Sequence, residues 1–297
     1  MPMRMIPAGA LAIVCGLAQP GRALACASCG CGDPTLTAMG FEKPFRHRIR
    51  LGLESRAARH EVPADGERTL VSRTTLSASY SPTAWLSLAT QLPFAAAWNE
   101  VDGQPPRSVY GLGDLDLFVR ALPLRDRKFS PRHVGSVTLG LKFPTGPRRV
   151  DSTGYPAPDD LQPGSGSWDG LFGLGYSYFN DAFAVFVSAS YRLTSHGYRN
   201  VRRGGSVGGS ALVQLSLSRR IALQTGSELS FAERTELENG GWATNRGGLL
   251  LSVVHSVVVA LYRDWLLRLT VQSPVVQAWR GSQWESPTAV LSLAVDL

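Results

Sequence analysis

The chain has 297 residues, of which 44% are hydrophobic and 18% are charged. Its 30 basic and 23 acidic residues give a formal net charge of +7, and the basic residues are spread along the chain. A nucleic-acid partner would favour a clustered basic arm, so none is expected. Four cysteines in a chain of this length exclude a disulfide-stapled scaffold.

The first 25 residues have the three parts of an export signal. Arg4 supplies a positive n-region, residues 6–18 form an apolar core, and residues 23–25 (Ala-Leu-Ala) fit the small-x-small cleavage rule. The apolar core is too short to cross a bilayer as a permanent helix. We therefore expect residues 1–25 to be a signal peptide and the mature chain to begin at Cys26.

Three cysteines, Cys26, Cys29 and Cys31, directly follow this cleavage site in a segment (26–44) predicted to be periplasmic. Thiolates at this spacing on a glycine-rich segment suit Cu(I) or Zn(II), although the usual four-ligand zinc signature is incomplete. A disulfide is an alternative, since an oxidising compartment pairs thiols and Cys26 and Cys29 are better spaced than Cys29 and Cys31. A lipid on Cys26, or no role for the three thiols, is also compatible with the sequence. No other cofactor is predicted.

From residue 45 to residue 297 apolar and polar residues alternate with a period of two, which is typical of β-strands. The valine-rich run 249–262 also fits a strand better than a helix. Each strand is near the ~9–11 residues that cross a bilayer when tilted. The pattern predicts an all-β fold, a transmembrane antiparallel β-barrel of about 12 strands of the outer-membrane type. The predicted strands are centred near residues 50, 75, 90, 117, 139, 174, 188, 212, 227, 254, 269 and 292.

The connections alternate in length, as in outer-membrane barrels with short periplasmic turns and long outer loops. An even strand number then places both termini in the periplasm and the barrel in the cell outer membrane. Long connections are predicted near 58–67, 99–108, 145–166, 195–206, 233–246 and 278–286. Short ones are predicted at 81–83, 179–181, 218–220 and 262–264, and an intermediate one at 123–133.

Aromatic residues near the strand ends predict two interfacial girdles. The alternative is a soluble barrel or sandwich with its apolar face inside, but the signal peptide, the loop alternation and the aromatic placement favour the membrane barrel. The girdle residues are Tyr80, Trp85, Phe179, Phe183, Tyr262 and Trp265 beside the tight turns, and Trp98, Tyr110, Tyr198, Trp279 and Trp284 at the far end.

If the apolar face is outside, the lumen is lined by charges of both signs and by aromatic rings. Paired charges would plug the bore, whereas a water-filled bore with a basic excess would favour anions. Phe118 and Phe186 would offer apolar solutes a surface. The predicted lumen-lining residues are Arg48, Arg50, Glu54, Asp114, Asp116, Phe118, Arg120, Lys142, Phe186, Arg192, Glu228 and Arg268, with Arg46 just before the first strand.

Catalysis is not expected. His255 lies on the apolar face of its strand, but its same-face neighbours are Val253 and Val257, and Ser256 points the opposite way. A nucleophile needs its base within hydrogen-bonding reach, so the sequence predicts no enzyme.

Three stretches carry a family resemblance: GLGDLDLFVRALPL (111–124), LGLKFPTG (139–146) and LQPGSGSWDGLFGLGYSY (161–178). They resemble the outer-membrane family named after the meta-pathway of phenol degradation, whose members are labelled transporters. The resemblance implies a barrel of similar size that passes small, often apolar or aromatic compounds. It carries no catalytic motif, and the three-cysteine segment is not part of the family pattern.

Together these observations predict an outer-membrane channel or transporter for small molecules, with outer-membrane lipid and small solutes as its partners. The alternative is a non-conducting structural barrel whose periplasmic cysteine segment binds a soft metal or a partner protein.

Overall fold

The computed structural model describes residues 46–63, 66–127, 131–243, 246–262 and 264–297. Within these ranges the chain is almost entirely β-structure, with one short 3-10 helix at Tyr198–Asn200. No helix of the described residues has the length and apolar character needed to span a bilayer. The strands are β1 (Arg48–Val62), β2 (Glu67–Thr83), β3 (Leu86–Val101), β4 (Arg107–Leu112), β5 (Leu115–Arg125), β6 (His133–Phe143), β7 (Asp169–Phe179), β8 (Phe183–Thr194), β9 (Ser206–Ser216), β10 (Ile221–Ala232), β11 (Gly248–Ala260), β12 (Trp265–Trp279), β13 (Trp284–Glu285) and β14 (Thr288–Asp296).

The strands form one closed antiparallel sheet. Strand β1 pairs with β2 on one side and with β14 on the other, so the sheet has no free edge. Strands β4 and β5 both pair with β3 and make up one crossing that is interrupted at Gly113 and Asp114. Strands β13 and β14 likewise form the last crossing. The result is a closed 12-strand barrel, which confirms the predicted fold, and each predicted strand centre lies within a strand.

The apolar face of the strands lies on the outside of the barrel. Leu139 and Leu141 on β6 are 58% and 42% exposed, whereas the adjacent Thr138, which points the other way, is 5% exposed. The same alternation is repeated around the sheet. An exposed apolar belt around a sheet without edges satisfies both demands of a bilayer, apolar contact and complete backbone pairing. The soluble alternative, with its apolar face inside, is therefore wrong.

Three of the six predicted long connections are wrong. Strands β1 and β2 are joined by residues 63–66, β3 and β4 by 102–106, and β12 and β13 by 280–283. The strands continue where polar residues suggested loops, as in the pairing of His60 with Thr69. Strand β2 has 17 residues, more than the ~9–11 that a bilayer crossing needs, so it extends beyond the length of one crossing. The long connections that remain are 144–168, 195–205 and 233–247.

The aromatic girdles are only partly as predicted. Three of the predicted rings, those of Phe179, Tyr198 and Trp279, turn inward. Phe179 has the inward parity of β7, and Trp279 pairs with the inward-facing Gly248. Strand parity, and not only height along the strand, decides whether a ring meets the lipid interface. Exposed rings at the short-turn end are Tyr80, Trp85, Tyr262 and Trp265, and those at the far end include Trp98, Tyr110 and Trp284.

Candidate functional site in the barrel lumen

The inner face of the barrel carries the residues that the sequence placed in the lumen. They have the inward parity of their strands and are buried or half-buried, except Arg46, which precedes β1 and is exposed. They do not form one site but several groups at different heights. From the terminal end upward, these are an arginine–aspartate pair at the chain ends, a polar cavity, an apolar patch and a charged cluster beneath a long loop.

The group at the terminal end joins the first and last strands. Arg50 donates two hydrogen bonds to Asp296, at 2.6 Å from Nε and 2.5 Å from Nη2, and Arg48 lies 2.6 Å from the same carboxylate. Sequence reasoning missed Asp296. The alternation of apolar residues in β14 could have predicted it, because the outward residues of this strand have odd numbers and Asp296 therefore faces inward.

A cavity of about 40 Å³ lies above this pair, lined by inward residues of β1, β9 to β12 and β14. Glu54 accepts a hydrogen bond from Ser292 at 3.1 Å and lies 3.6 Å from Arg268. Glu228 accepts one from Gln272 at 2.8 Å. A polar cavity of this size has room for water molecules. These charges are therefore partly paired, and the cavity leaves room for water beside them.

The two predicted phenylalanines fill the wall. Phe118 is 8% exposed and packs over Gly140, where an added Cβ would lie 2.6 Å from its ring. Phe186 is 5% exposed and packs with Leu212, Val254 and Phe179. Both residues have inward parity and little accessible surface, and an aromatic sliding surface at these two residues stays a prediction. Arg120, next to Phe118 on the inner face, donates to Ser136 at 3.1 Å.

The charged cluster lies at the end of the lumen that carries the long loops. Lys142 forms an ion pair with Asp169, lies 3.7 Å from Asp114, and donates to Ser165 at 2.5 Å and to Ser167 at 3.2 Å. Sequence reasoning missed Asp169, although its pairing partner on β6 is Lys142. Asp169 was missed because the start of β7 was not recognised in the sequence. The glycine- and serine-rich residues 164–167, which lie just before it, are typical of a loop.

Arg192 connects this cluster to the next strands. Its Nη1 lies 3.6 Å from Asp116 and 3.8 Å from Asp169. Arg192 is on β8 and Asp116 on β5, so this pair reaches over the two strands between them. The structure thus brings four predicted residues, Asp114, Asp116, Lys142 and Arg192, into one network with Asp169.

The loop of residues 144–168, here called the bridging loop, folds into the barrel mouth. Ala157 and Leu161 are buried against Ala97 and Val109, which are inward residues of β3 and β4. Gln162 is also buried, and its amide donates to the carbonyls of Ala157 and Arg149 within the same loop. The loop therefore packs against the inner wall of the barrel.

Asp114, at the break between β4 and β5, anchors both ends of the bridging loop. Its carboxylate accepts hydrogen bonds from Gly146 N at 3.0 Å, Ser165 N at 2.7 Å and Ser165 Oγ at 2.8 Å. The loop ends cross so closely that an added Cβ on Gly146 would lie 3.0 Å from the Cα atom of Gly164. This crossing explains glycines in the sequence stretches of the family resemblance, since larger residues would separate the ends.

The bridging loop is also held from the opposite wall. Arg203, in the 195–205 loop, donates to the Asp159 carbonyl at 2.5 Å, and Arg246, in the 233–247 loop, lies 3.2 Å from Asp160. Tyr198 donates to the carbonyl of Gly146. Burial raises the pKa of the Tyr198 hydroxyl, and the charge of Asp114 raises it further, so it remains a donor at neutral pH. The loop thus spans the mouth from one wall to the other.

The remaining predicted sites are His255 and the three N-terminal cysteines. His255 faces outward, and its Nδ1 lies 3.0 Å from the hydroxyl of Thr225 on the neighbouring strand. This threonine, not a serine nucleophile, is its partner. Cys26, Cys29 and Cys31 lie outside the described residues, as do the predicted signal peptide and the whole of the 26–44 segment that follows it. Among the described residues no group of three or more His, Cys, Asp or Glu side chains could hold a metal ion.

Neither a protein-family model nor a curated protein sequence matches the chain. Its fold is similar to an outer membrane channel from Pseudomonas putida F1, with TM-score 0.69 and 15% identity over 87% of this chain and 98% of that one. The fold is also similar to the β-domain of the Bordetella autotransporter BrkA, with TM-score 0.52 and 11% identity over 84% of this chain and 99% of that one. The transport unit of the autotransporter AIDA-I from Escherichia coli is similar with TM-score 0.50 and 4% identity over 88% of this chain and 93% of that one. The chain has the fold of an outer-membrane β-barrel.

Proposed function

We propose that the protein is a passive outer-membrane channel for small molecules whose lumen is narrowed by the bridging loop. The observation that carries this proposal is the fixation of residues 144–168 inside a closed barrel by the buried carboxylate of Asp114. Filling a barrel with ionic networks is a poor way to make it stable, because apolar residues of similar volume serve as well or better. A polar lining with room for water is instead what the passage of solutes requires.

The wall below the loop supports the same proposal. Serine and threonine hydroxyls pair across strands on the inner face, Ser188 with Ser210 at 2.9 Å and Ser256 with Thr270 at 2.8 Å. Hydroxyl pairs exchange their hydrogen bonds readily with a passing solute or water, because each hydroxyl both donates and accepts. The solutes that fit are small, since the loop occupies the mouth. Apolar or aromatic compounds are included on the strength of the family resemblance alone.

The proposed orientation follows from the two ends of the barrel. Both ends of the barrel sequence lie at the end with the tight turns, where Leu297 N donates to the Ile49 carbonyl at 2.8 Å. We assign this end to the periplasm and the bridging loop to the outside. The cysteine segment, residues 26–44, would then lie at the periplasmic mouth. We propose no catalytic role.

Planar-bilayer recording of the purified barrel tests the function. Discrete conductance steps are expected, and a variant with residues 150–158 replaced by a short Gly-Ser linker should give larger steps. Silence from both proteins, each shown to be folded by its heat-dependent shift in gel mobility, would contradict the channel and favour the alternative of a structural barrel with a binding segment.

A further inference from the structure

Two inward arginines face each other directly in the barrel wall. Arg56 on β1 pairs with Arg73 on β2, and both have inward parity. Directly opposed residues have Cβ atoms about 4.5–5.5 Å apart, and like charges in this position destabilise a sheet. Neither side chain has a hydrogen bond or an ion pair with another residue in the described part of the chain. The wall therefore holds two neighbouring guanidinium groups without a carboxylate partner.

The charges around Arg73 do not compensate it. Arg73 interacts electrostatically with Asp116, but also with Arg192 and Arg203, both of them cationic. Asp116 is already 3.6 Å from Arg192. Arg203 is held by a carbonyl and so remains a net positive charge. Positive charge thus exceeds negative charge around Arg73.

On the side of Arg56 two carboxylates lie nearby, and both have other hydrogen-bond or ion-pair partners. Glu54 and Glu228 line the same 40 Å³ cavity as Arg56. Glu54 is shared between Arg268 and Ser292, and Glu228 accepts from Gln272. Neither carboxylate forms a hydrogen bond or an ion pair with Arg56.

A pair of this kind breaks a local rule of sheet stability, and proteins break such rules mainly at functional sites. The planar guanidinium group presents donors in a fork that matches a carboxylate, and two such groups side by side can hold one carboxylate between them. We propose that Arg56 and Arg73 form an anion-binding site in the lumen for a small organic carboxylate. This inference rests on the proposed channel function for the route by which the anion arrives.

The surroundings also indicate what the carboxylate is attached to. On the inner face, the residue opposite Arg73 on β3 is Ala95, whose small side chain leaves space beside the arginine. The next inward position toward the loops is Val71, which packs against the apolar cluster of the bridging loop with Ala97 and Leu161. A carboxylate on a compact apolar body would contact both arginines and this cluster.

Ligand-observed ¹⁹F NMR of 4-fluorobenzoate with the full barrel folded in detergent tests the site. Arg73→Gln and Arg56→Gln should each weaken binding tenfold or more, because each loses a charge-assisted contact. Arg68→Gln is the matched control: it removes the same charge from β2 but at an outward position. It should change affinity less than twofold. The neutral isostere 4-fluorobenzamide should bind at least tenfold more weakly than the benzoate.

Unchanged affinity in both lumen variants, or equal affinity for the amide, would overturn the site. If Arg73→Gln fails to fold, Arg73→Lys keeps the charge without the planar fork and should still lose most of the affinity. The binding measurement does not need conduction. Arginine-dependent binding with a silent bilayer would sink the channel and keep the site, whereas conduction without such binding would sink the site alone.

Discussion

Replacing Asp114 by alanine should release the bridging loop and enlarge the pore. The substitution removes the acceptor of three hydrogen bonds and leaves the backbone N–H groups of Gly146 and Ser165 without their partner. Each buried group left unsatisfied costs about 1–3 kcal/mol, so two such groups destabilise the closed arrangement of the loop by about 2–6 kcal/mol. Lys142 keeps its ion pair with Asp169, so the variant does not leave a buried cation alone.

A loss of this size has a large effect on the loop population. Because each 1.4 kcal/mol is about a factor of ten, even the lower bound reduces the ratio of closed to open loop by about 30-fold. Single-channel recording should show larger steps or frequent excursions to a larger conductance. Asp114→Asn keeps one acceptor oxygen and should give an intermediate result.

Asp126 provides the matched control for this experiment. In the turn between β5 and β6, its carboxylate accepts from Arg132 N at 2.8 Å and from His133 N at 3.0 Å. These hydrogen bonds lower the pKa of the Asp126 carboxyl, and the bond from His133 N makes the largest contribution. Asp126→Ala thus removes the same chemistry at the opposite end of the barrel, and conductance should not change. A folded Asp114→Ala barrel that conducts like the wild type would refute the assignment of the bridging loop as the constriction.

Three further predictions concern other parts of the chain. Arginine at Leu139 should destabilise the barrel folded in vesicles by about 2–4 kcal/mol near the midplane, measured by denaturant unfolding. Arginine at Thr138 should alter conductance more than assembly. The opposite result would contradict the assignment of Leu139 to the lipid-facing side. Asp160→Asn should increase conductance noise less than Asp114→Ala, because the partly exposed ion pair of Asp160 with Arg246 is worth about 1 kcal/mol or less. An equal effect of the two substitutions would contradict the view that Asp114 holds the bridging loop more strongly than Asp160 does. Intact-mass measurement with and without reductant should show Cys26 as the unmodified first residue of a disulfide-linked or metal-holding segment, and a diacylglycerol-sized increment would contradict it.

The strands, and the face that each strand residue occupies, follow from the amino-acid sequence alone. Side chains of a strand alternate with a period of two, so the positions of apolar residues such as Leu139 and Leu141 assign every neighbour to the lipid or to the lumen. This is why the inward residues, Lys142 and Arg192 among them, follow from the pattern. The twelve crossings follow as well, because each apolar stretch is long enough to span a bilayer.

Which inward residues meet, and where the lumen is narrowed, depends on the closed barrel and is not encoded locally. Contacts such as that of Arg192 with Asp116 join strands that are not neighbours, and they depend on how the sheet closes and staggers. The bridging loop is rich in glycine, serine and proline, so its composition is that of an ordinary surface loop. It turns inward because a buried carboxylate at the break in another crossing accepts its backbone N–H groups. That acceptor is distant in the chain from the loop's far end, and local sequence therefore carries no sign of it.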